Sequence, residues 1–104
     1  MQFSHERLSA REGDDGAIIL AGEIDIATAP VLESMLNSMA DGNVVLDLRN
    51  VGFADSTGLR YLLDAARRTQ AEGHEFMLRS VGSQMSRLLR ITGTEGQFRI
   101  QISD

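Results

Sequence analysis

The sequence has no cysteine, no lysine and no tryptophan, and it has only one proline among its 104 residues. Without cysteine the chain can form neither a disulfide nor a thiolate metal site, and thiol catalysis is excluded. The absence of lysine removes the phosphate-binding lysine of a P-loop and any Schiff-base chemistry. Only two histidines are present, His5 and His74, which is too few for the usual ligand clusters. We therefore expect no metal site and no cofactor.

Long apolar runs are missing as well, because the longest one covers only residues 17–21. A membrane-spanning helix needs about 20 apolar residues. The first six residues also lack the basic-then-apolar pattern of a secretory signal. We expect a cytoplasmic protein without a membrane partner.

The charge of the chain is negative, with a net value of −5, and all ten basic residues are arginine. A net negative chain does not favour direct nucleic-acid binding, because a phosphate backbone attracts positive surfaces. The charge is uneven, since residues 1–50 hold three arginines and nine acids, whereas residues 51–104 hold seven arginines and six acids. The arginines of the second half form either solvated faces or a docking surface for an acidic partner.

The length and the hydrophobic content of 42% predict a single domain over residues 1–104. Apolar periodicity predicts five strands and three helices in the order strand, strand, helix, strand, helix, strand, helix, strand. This order predicts an α/β fold in which a small mixed sheet of about five strands packs with about three helices. The predicted strands lie within residues 1–9, at 17–21, 44–48 and 74–79, and from Phe98 onward, and the predicted helices start near Thr28, Asp55 and Val81.

The segment Asp55-Ser56-Thr57-Gly58 follows the predicted central strand and starts the second predicted helix. It places two hydroxyl groups where unpaired backbone N–H groups and the positive end of the helix dipole favour a phosphate. Asp55 can cap this helix, and Gly58 leaves room for a partner to approach Ser56. The alternative is that the four residues form only a capped turn, because these residue types dominate caps for local reasons.

An enzymatic interpretation arises because residues 54–58 approximate a nucleophile elbow, with a serine between strand and helix. Ala54 replaces the first glycine of that motif, and the chain is far too short for the hydrolase fold that carries it. His74, the only histidine downstream, opens a predicted strand. We therefore expect that the chain is not an enzyme.

A family resemblance is carried by residues 53–59, by the strand Val44 to Leu48, by Gly22-Glu23-Ile24-Asp25 and by the helix over residues 81–93. Together these motifs resemble the STAS domain of bacterial anti-sigma factor antagonists over nearly the whole chain. The resemblance implies a STAS-like fold, and it implies that Ser56 is a phosphoacceptor.

The resemblance also implies partners. The unphosphorylated protein would bind an anti-sigma factor that is also a serine kinase, release the sigma factor and so regulate transcription by partner switching. A metal-dependent serine phosphatase would reset the switch, and neither enzymatic activity would belong to this chain.

The resemblance places Asp25 and Asp55 near the acceptor, and Thr57 is the neighbouring hydroxyl, which is either a second acceptor or a residue that supports the cap. Asp25 is alternatively a turn or cap residue before the first helix. Arg60, with Arg67 and Arg68, is predicted on the outer face of the second helix and is expected to dock an acidic patch of the partner.

A different function is also compatible with this family. Some STAS-like modules are not phosphorylated and bind a small molecule or a protein as subunits of a regulatory or transport assembly. The presence of Ser56 favours the phosphorylation switch over this alternative.

Overall fold

A computed structural model of the protein describes residues 2–39 and 42–101. Its strands and helices follow the predicted order, with one additional short strand at the start. The strands are β1 (Gln2–Phe3), β2 (Leu8–Glu12), β3 (Ile18–Ile24), β4 (Val44–Ala54), β5 (Phe76–Arg79) and β6 (Arg99–Gln101), and the helices are α1 (Ala29–Ser38), α2 (Ser56–Ala71) and α3 (Ser83–Thr92).

The six strands of the described residues form one sheet in which the spatial order β1-β2-β3-β4-β5-β6 equals the chain order. The first two pairings are antiparallel and the last three are parallel, so each helix is a crossover between neighbouring parallel strands. The predicted α/β class with a mixed sheet and three helices is confirmed. The strand beyond the predicted five is β1, whose two residues pair with Arg11 and Ala10.

Several predicted strand boundaries are wrong. Strand β3 covers Ile18–Ile24 and not residues 17–21, because its last three residues stay paired with β4, and β6 starts at Arg99. The first nine residues contain β1 and only the start of β2 rather than one strand. Strand β4 continues past Leu48 to Ala54 because it stays paired with β3, although exposed polar residues there interrupt the apolar pattern. Strand β5 starts at Phe76 instead of His74, because the His74 amide donates to the Thr69 carbonyl and closes the end of α2.

The core lies between the helices and one face of the sheet. Burial alternates along the strands, so Leu20, Leu46 and Leu78 are fully buried while Ile19 and Val45 on the opposite face are half-buried. The helices cover the first face, as expected for right-handed crossovers that all step in the same direction. Within the described ranges, no helix combines enough length and apolar character to cross a membrane. The helical side of the core includes Leu32, Met35, Leu59, Leu62 and Leu89.

The opposite face of the sheet carries a buried carboxylate, Asp47, on the central strand β4. Arg49 donates to it at 2.7 Å, and Arg79 of β5 donates to it at 3.1 Å and also to Asp15 at 2.7 Å. Burial tends to raise the pKa of Asp47, but the hydrogen bonds from Arg49 and Arg79 outweigh it and hold this pKa below its ordinary value. The carboxylate therefore stays ionised and joins β4 to β5, and Arg79 connects both strands to the turn at Asp15.

Candidate functional site

Asp55 lies at the junction between β4 and α2 and connects this junction to the end of β3. Its extended backbone makes it the N-cap of α2, and its Oδ1 accepts from the Gly58 amide at 2.9 Å. Its Oδ2 accepts from the Ile26 amide at 3.3 Å, and its own amide donates to the Ile24 carbonyl at 2.9 Å. The predicted helix cap is confirmed, and the same side chain also fixes the loop between β3 and α1.

Ser56 is the first residue of α2, and it is exposed. In the part of the chain that the structure describes, its hydroxyl makes no hydrogen bond, and neither its amide nor that of Thr57 has an acceptor. The second hydroxyl, Thr57, is half-buried. The structure therefore offers a free hydroxyl beside two free backbone donors at the positive end of a 16-residue helix.

Gly58 is buried, and the sequence-based reason for a glycine at this position needs correction. A Cβ added there would lie 2.3 Å from Ile24 Cγ2 and 2.7 Å from the Ile24 carbonyl oxygen. The space beside this glycine is thus occupied by the end of β3 and not left open for a partner. Its role in partner binding remains a prediction.

Asp25 follows β3 and is held by several donors. Its Oδ1 accepts from the amides of Ala27 and Thr28 at 3.0 Å each, which is the turn-and-cap role before α1. Its Oδ2 accepts from Arg7 at 2.6 Å. Burial tends to raise the pKa of Asp25, but the hydrogen bonds from the Thr28 amide and Arg7 outweigh it and lower this pKa.

A close backbone contact places Arg7 beside Asp25. Gly22 has a φ of 121°, and a Cβ there would lie 2.0 Å from the Arg7 carbonyl oxygen. Because glycine alone permits this approach, the Glu23 amide can donate to that carbonyl at 2.9 Å. The Arg7 side chain then reaches the carboxylates of Glu23 and Asp25.

Two large hydrophobic side chains are exposed at the end of the sheet where α2 starts. Ile26, whose amide binds Asp55, is 71% exposed, and Phe53 at the end of β4 is 42% exposed. Ile26 lies in the loop between β3 and α1, and Phe53 lies on β4 three residues before Ser56, beside the buried Ala54. The two exposed apolar side chains and the free Ser56 hydroxyl thus lie at the same end of the sheet.

The predicted docking arginines lie on α2 as expected, and all three are exposed. Arg67 is 3.8 Å from Asp64 and donates to the Gln97 side chain at 3.0 Å. Within residues 2–39 and 42–101, Arg60 and Arg68 have no hydrogen-bond or ion-pair partner. Arg60 is the one of the three closest in sequence to Ser56.

Gln84, in the first turn of α3, is a positioning residue that the sequence analysis missed. Its Oε1 accepts from the Ala54 amide at 2.9 Å, and its Nε2 donates to the Ala54 carbonyl at 2.8 Å. This pair of hydrogen bonds satisfies both backbone groups of the last residue of β4. Nothing in the sequence indicates this contact, because a glutamine in a first helical turn resembles any solvated residue.

The described ranges contain no arrangement of side chains that supports metal binding. No group of three or more His, Cys, Asp or Glu residues there is placed to hold a metal ion. The start of α2 thus offers a free hydroxyl at Ser56, two free backbone donors and, one turn later, the unpaired Arg60.

Comparison with known proteins gives concordant matches in sequence and in structure. The family model described as "Mlab, STAS domain" matches residues 8–102. An anti-sigma-B factor antagonist of Bacillus subtilis (strain 168) is 32% identical over 77% of this chain and 75% of that protein. The protein of the same name from Staphylococcus aureus (strain NCTC 8325 / PS 47) is 34% identical over 71% of each chain.

A solved structure supports the same relationship. An anti-sigma factor antagonist from Mycobacterium paratuberculosis superposes with a TM-score of 0.74 at 27% identity, covering 99% of this chain and 84% of that one. The family model spans most of the chain, and the similarity extends across the sheet, the helices and the segment around Ser56. The chain therefore belongs to the STAS domain family, and it is a relative of the anti-sigma factor antagonists.

Proposed function

We propose that this protein is an anti-sigma factor antagonist that is switched by phosphorylation of Ser56. In the unphosphorylated state it binds an anti-sigma factor that is also a serine kinase, which releases the sigma factor and allows transcription. The observation that carries the proposal is the exposed, unbonded Ser56 at the start of α2, at the same end of the sheet as the exposed Ile26 and Phe53. The names of the relatives supply the class of partner.

The modification itself is a phosphoryl transfer from ATP. The Ser56 oxygen attacks the γ-phosphorus, its bond to phosphorus forms as the bond to the β-phosphate oxygen breaks, and ADP leaves. The hydroxyl proton passes to a base on the kinase. A metal-dependent serine phosphatase reverses the state by hydrolysing the phosphoserine. This chain supplies the acceptor and the binding surface, and it is not the enzyme in either direction.

The switch acts at the interface. Phosphorylation adds about −1.5 to −2 charge at a point where the partner surface fits a neutral hydroxyl and two apolar side chains. Desolvating that charge without a counter-ion opposes binding. A 100-fold loss of affinity requires only about 2.7 kcal/mol, which one unpaired interfacial charge supplies.

The neighbouring residues divide the remaining tasks. Asp55 and Asp25 hold the loops on either side of the acceptor through the hydrogen bonds described above. Gly58 lets α2 start against β3, and Thr57 supports the helix start beside the acceptor. Arg60 docks an acidic group of the partner. The chain acts in the cytoplasm, where its partners meet the transcription machinery.

The test uses the protein and anti-sigma factor kinases from its own organism, incubated with ATP and Mg²⁺. We expect intact mass spectrometry to find one added phosphoryl group on the parent and on Thr57→Ala, but none on Ser56→Ala. Ser56→Ala should bind the kinase constitutively, and Ser56→Asp should bind at least tenfold more weakly.

Two results would contradict the proposal. Phosphorylation that persists in Ser56→Ala would assign the acceptor to another residue. Equal binding of the parent, Ser56→Ala and Ser56→Asp would remove Ser56 from the switch and favour the alternative, a STAS-like subunit of a regulatory or transport assembly that is not phosphorylated.

A further inference from the structure

Arg60 lies one helical turn beyond Ser56 on α2. Residues four apart on a helix face the same side, with Cβ atoms about 5–6 Å apart. Both residues are exposed, whereas Gly58 and Leu59 between them are buried and leave the shared outer face uncovered. A long guanidinium side chain at this position can reach a group attached to the serine oxygen.

Arg60 is also available, unlike the other arginine near this end of the sheet. Arg7 is engaged by the carboxylates of Glu23 and Asp25 at 3.1 and 2.6 Å. Arg60 has no hydrogen-bond or ion-pair partner in the described part of the chain. An arginine without a carboxylate can take a new anion without breaking an existing ion pair.

The start of α2 supplies additional donors for such an anion. The amides of Ser56 and Thr57 have no acceptor among the described residues, whereas the Gly58 amide is already taken by Asp55. A phosphate on the first helical residue would therefore face free N–H groups on one side and Arg60 on the other. Guanidinium groups bind phosphate oxygens through paired, charge-assisted hydrogen bonds.

We propose that Arg60 is the internal counter-ion of phosphorylated Ser56, an inference that rests on the proposed phosphorylation of this serine. Phosphorylation then changes the surface of this chain that binds the partner in two ways at once. It adds a dianion, and it turns Arg60 back onto its own helix, away from the acidic group that it contacts in the partner. The start of α2 becomes more stable, and the surface of this chain that binds the partner loses the positive charge of Arg60.

The test compares four proteins, the parent and Arg60→Gln, each with serine or with phosphoserine inserted at position 56 during translation. Thermal unfolding is measured at low salt. We expect phosphoserine to raise the Tm by about 2 °C more in the parent than in Arg60→Gln. This excess should nearly vanish in 1 M NaCl, where surface charges are screened, and Arg60→Lys should retain part of it.

Arg68→Gln is the matched control, because Arg68 is exposed on the same helix but three turns from Ser56. Phosphoserine should raise the Tm of Arg68→Gln by as much as it raises the Tm of the parent. The proposal is refuted if phosphoserine changes the Tm equally in the parent and in Arg60→Gln. Because translation inserts the phosphoserine, this result is independent of whether a kinase modifies Ser56, which the mass measurement decides separately.

Discussion

Replacing Gly58 by alanine tests whether packing or helix propensity controls the start of α2. Gly58 is the third residue of this helix, and alanine is favoured over glycine inside helices by about 1 kcal/mol. Propensity alone therefore predicts that Gly58→Ala stabilises the protein. The structure predicts the opposite, because the new Cβ would lie 2.3 Å from Ile24 Cγ2 and 2.7 Å from the Ile24 carbonyl oxygen.

The loss of stability in Gly58→Ala depends on which atoms of Ile24 must move. The Ile24 side chain can rotate, but its carbonyl oxygen belongs to β3 and accepts the hydrogen bond from the Asp55 amide. Separating α2 from β3 by roughly an ångström is an overpacking change of about 2–3 kcal/mol, the upper part of the usual range, because backbone atoms of Ile24 must move. After the gain in propensity is subtracted, we expect a net loss of about 1–2 kcal/mol and a fall in Tm of about 5–10 °C.

The assay is urea unfolding followed by circular dichroism, with Gly52→Ala as the control. Gly52 also lies in a regular element, but an added Cβ there meets nothing within 4 Å, so the free energy of unfolding of Gly52→Ala should stay within about 0.5 kcal/mol of the parent's. A Gly58→Ala protein as stable as the parent, or more stable, would refute the packing argument.

Two further predictions concern Asp47 and Gln84. The pKa of Asp47 is lowered in the folded state, so its contribution to stability is complete above the ordinary aspartate pKa of about 3.9 and is lost as the pH falls through the lower folded value. The urea midpoint of Asp47→Asn should thus fall below the parent's at pH 7 and approach it in acid, and a gap independent of pH would contradict this. Gln84→Ala should lower the free energy of unfolding by about 1–2 kcal/mol and speed amide exchange at Ala54, because both backbone groups of that residue lose their partner. Ser83→Ala is the control, and unchanged exchange at Ala54 in Gln84→Ala would argue against the anchoring role.

Local signals in the sequence determined the elements and the position of the candidate acceptor. Asp55 satisfies an amide within its own helix start, so a cap could be predicted from a stretch of four residues. The end of α3 was equally local, because Gly93 adopts a φ of 69° that glycine permits most readily. The order of strands and helices then restricted the topology to right-handed crossovers on a mixed sheet.

Only the tertiary structure decided what surrounds Ser56, because those contacts join residues far apart in the chain. Gln84 reaches Ala54 across 30 positions, and Arg7 reaches Asp25 across 18. Periodicity describes which face of an element is apolar, but it carries no information about which distant backbone meets that face. For the same reason the sequence predicts space for a partner beside Gly58, whereas in the fold the end of β3 occupies that space.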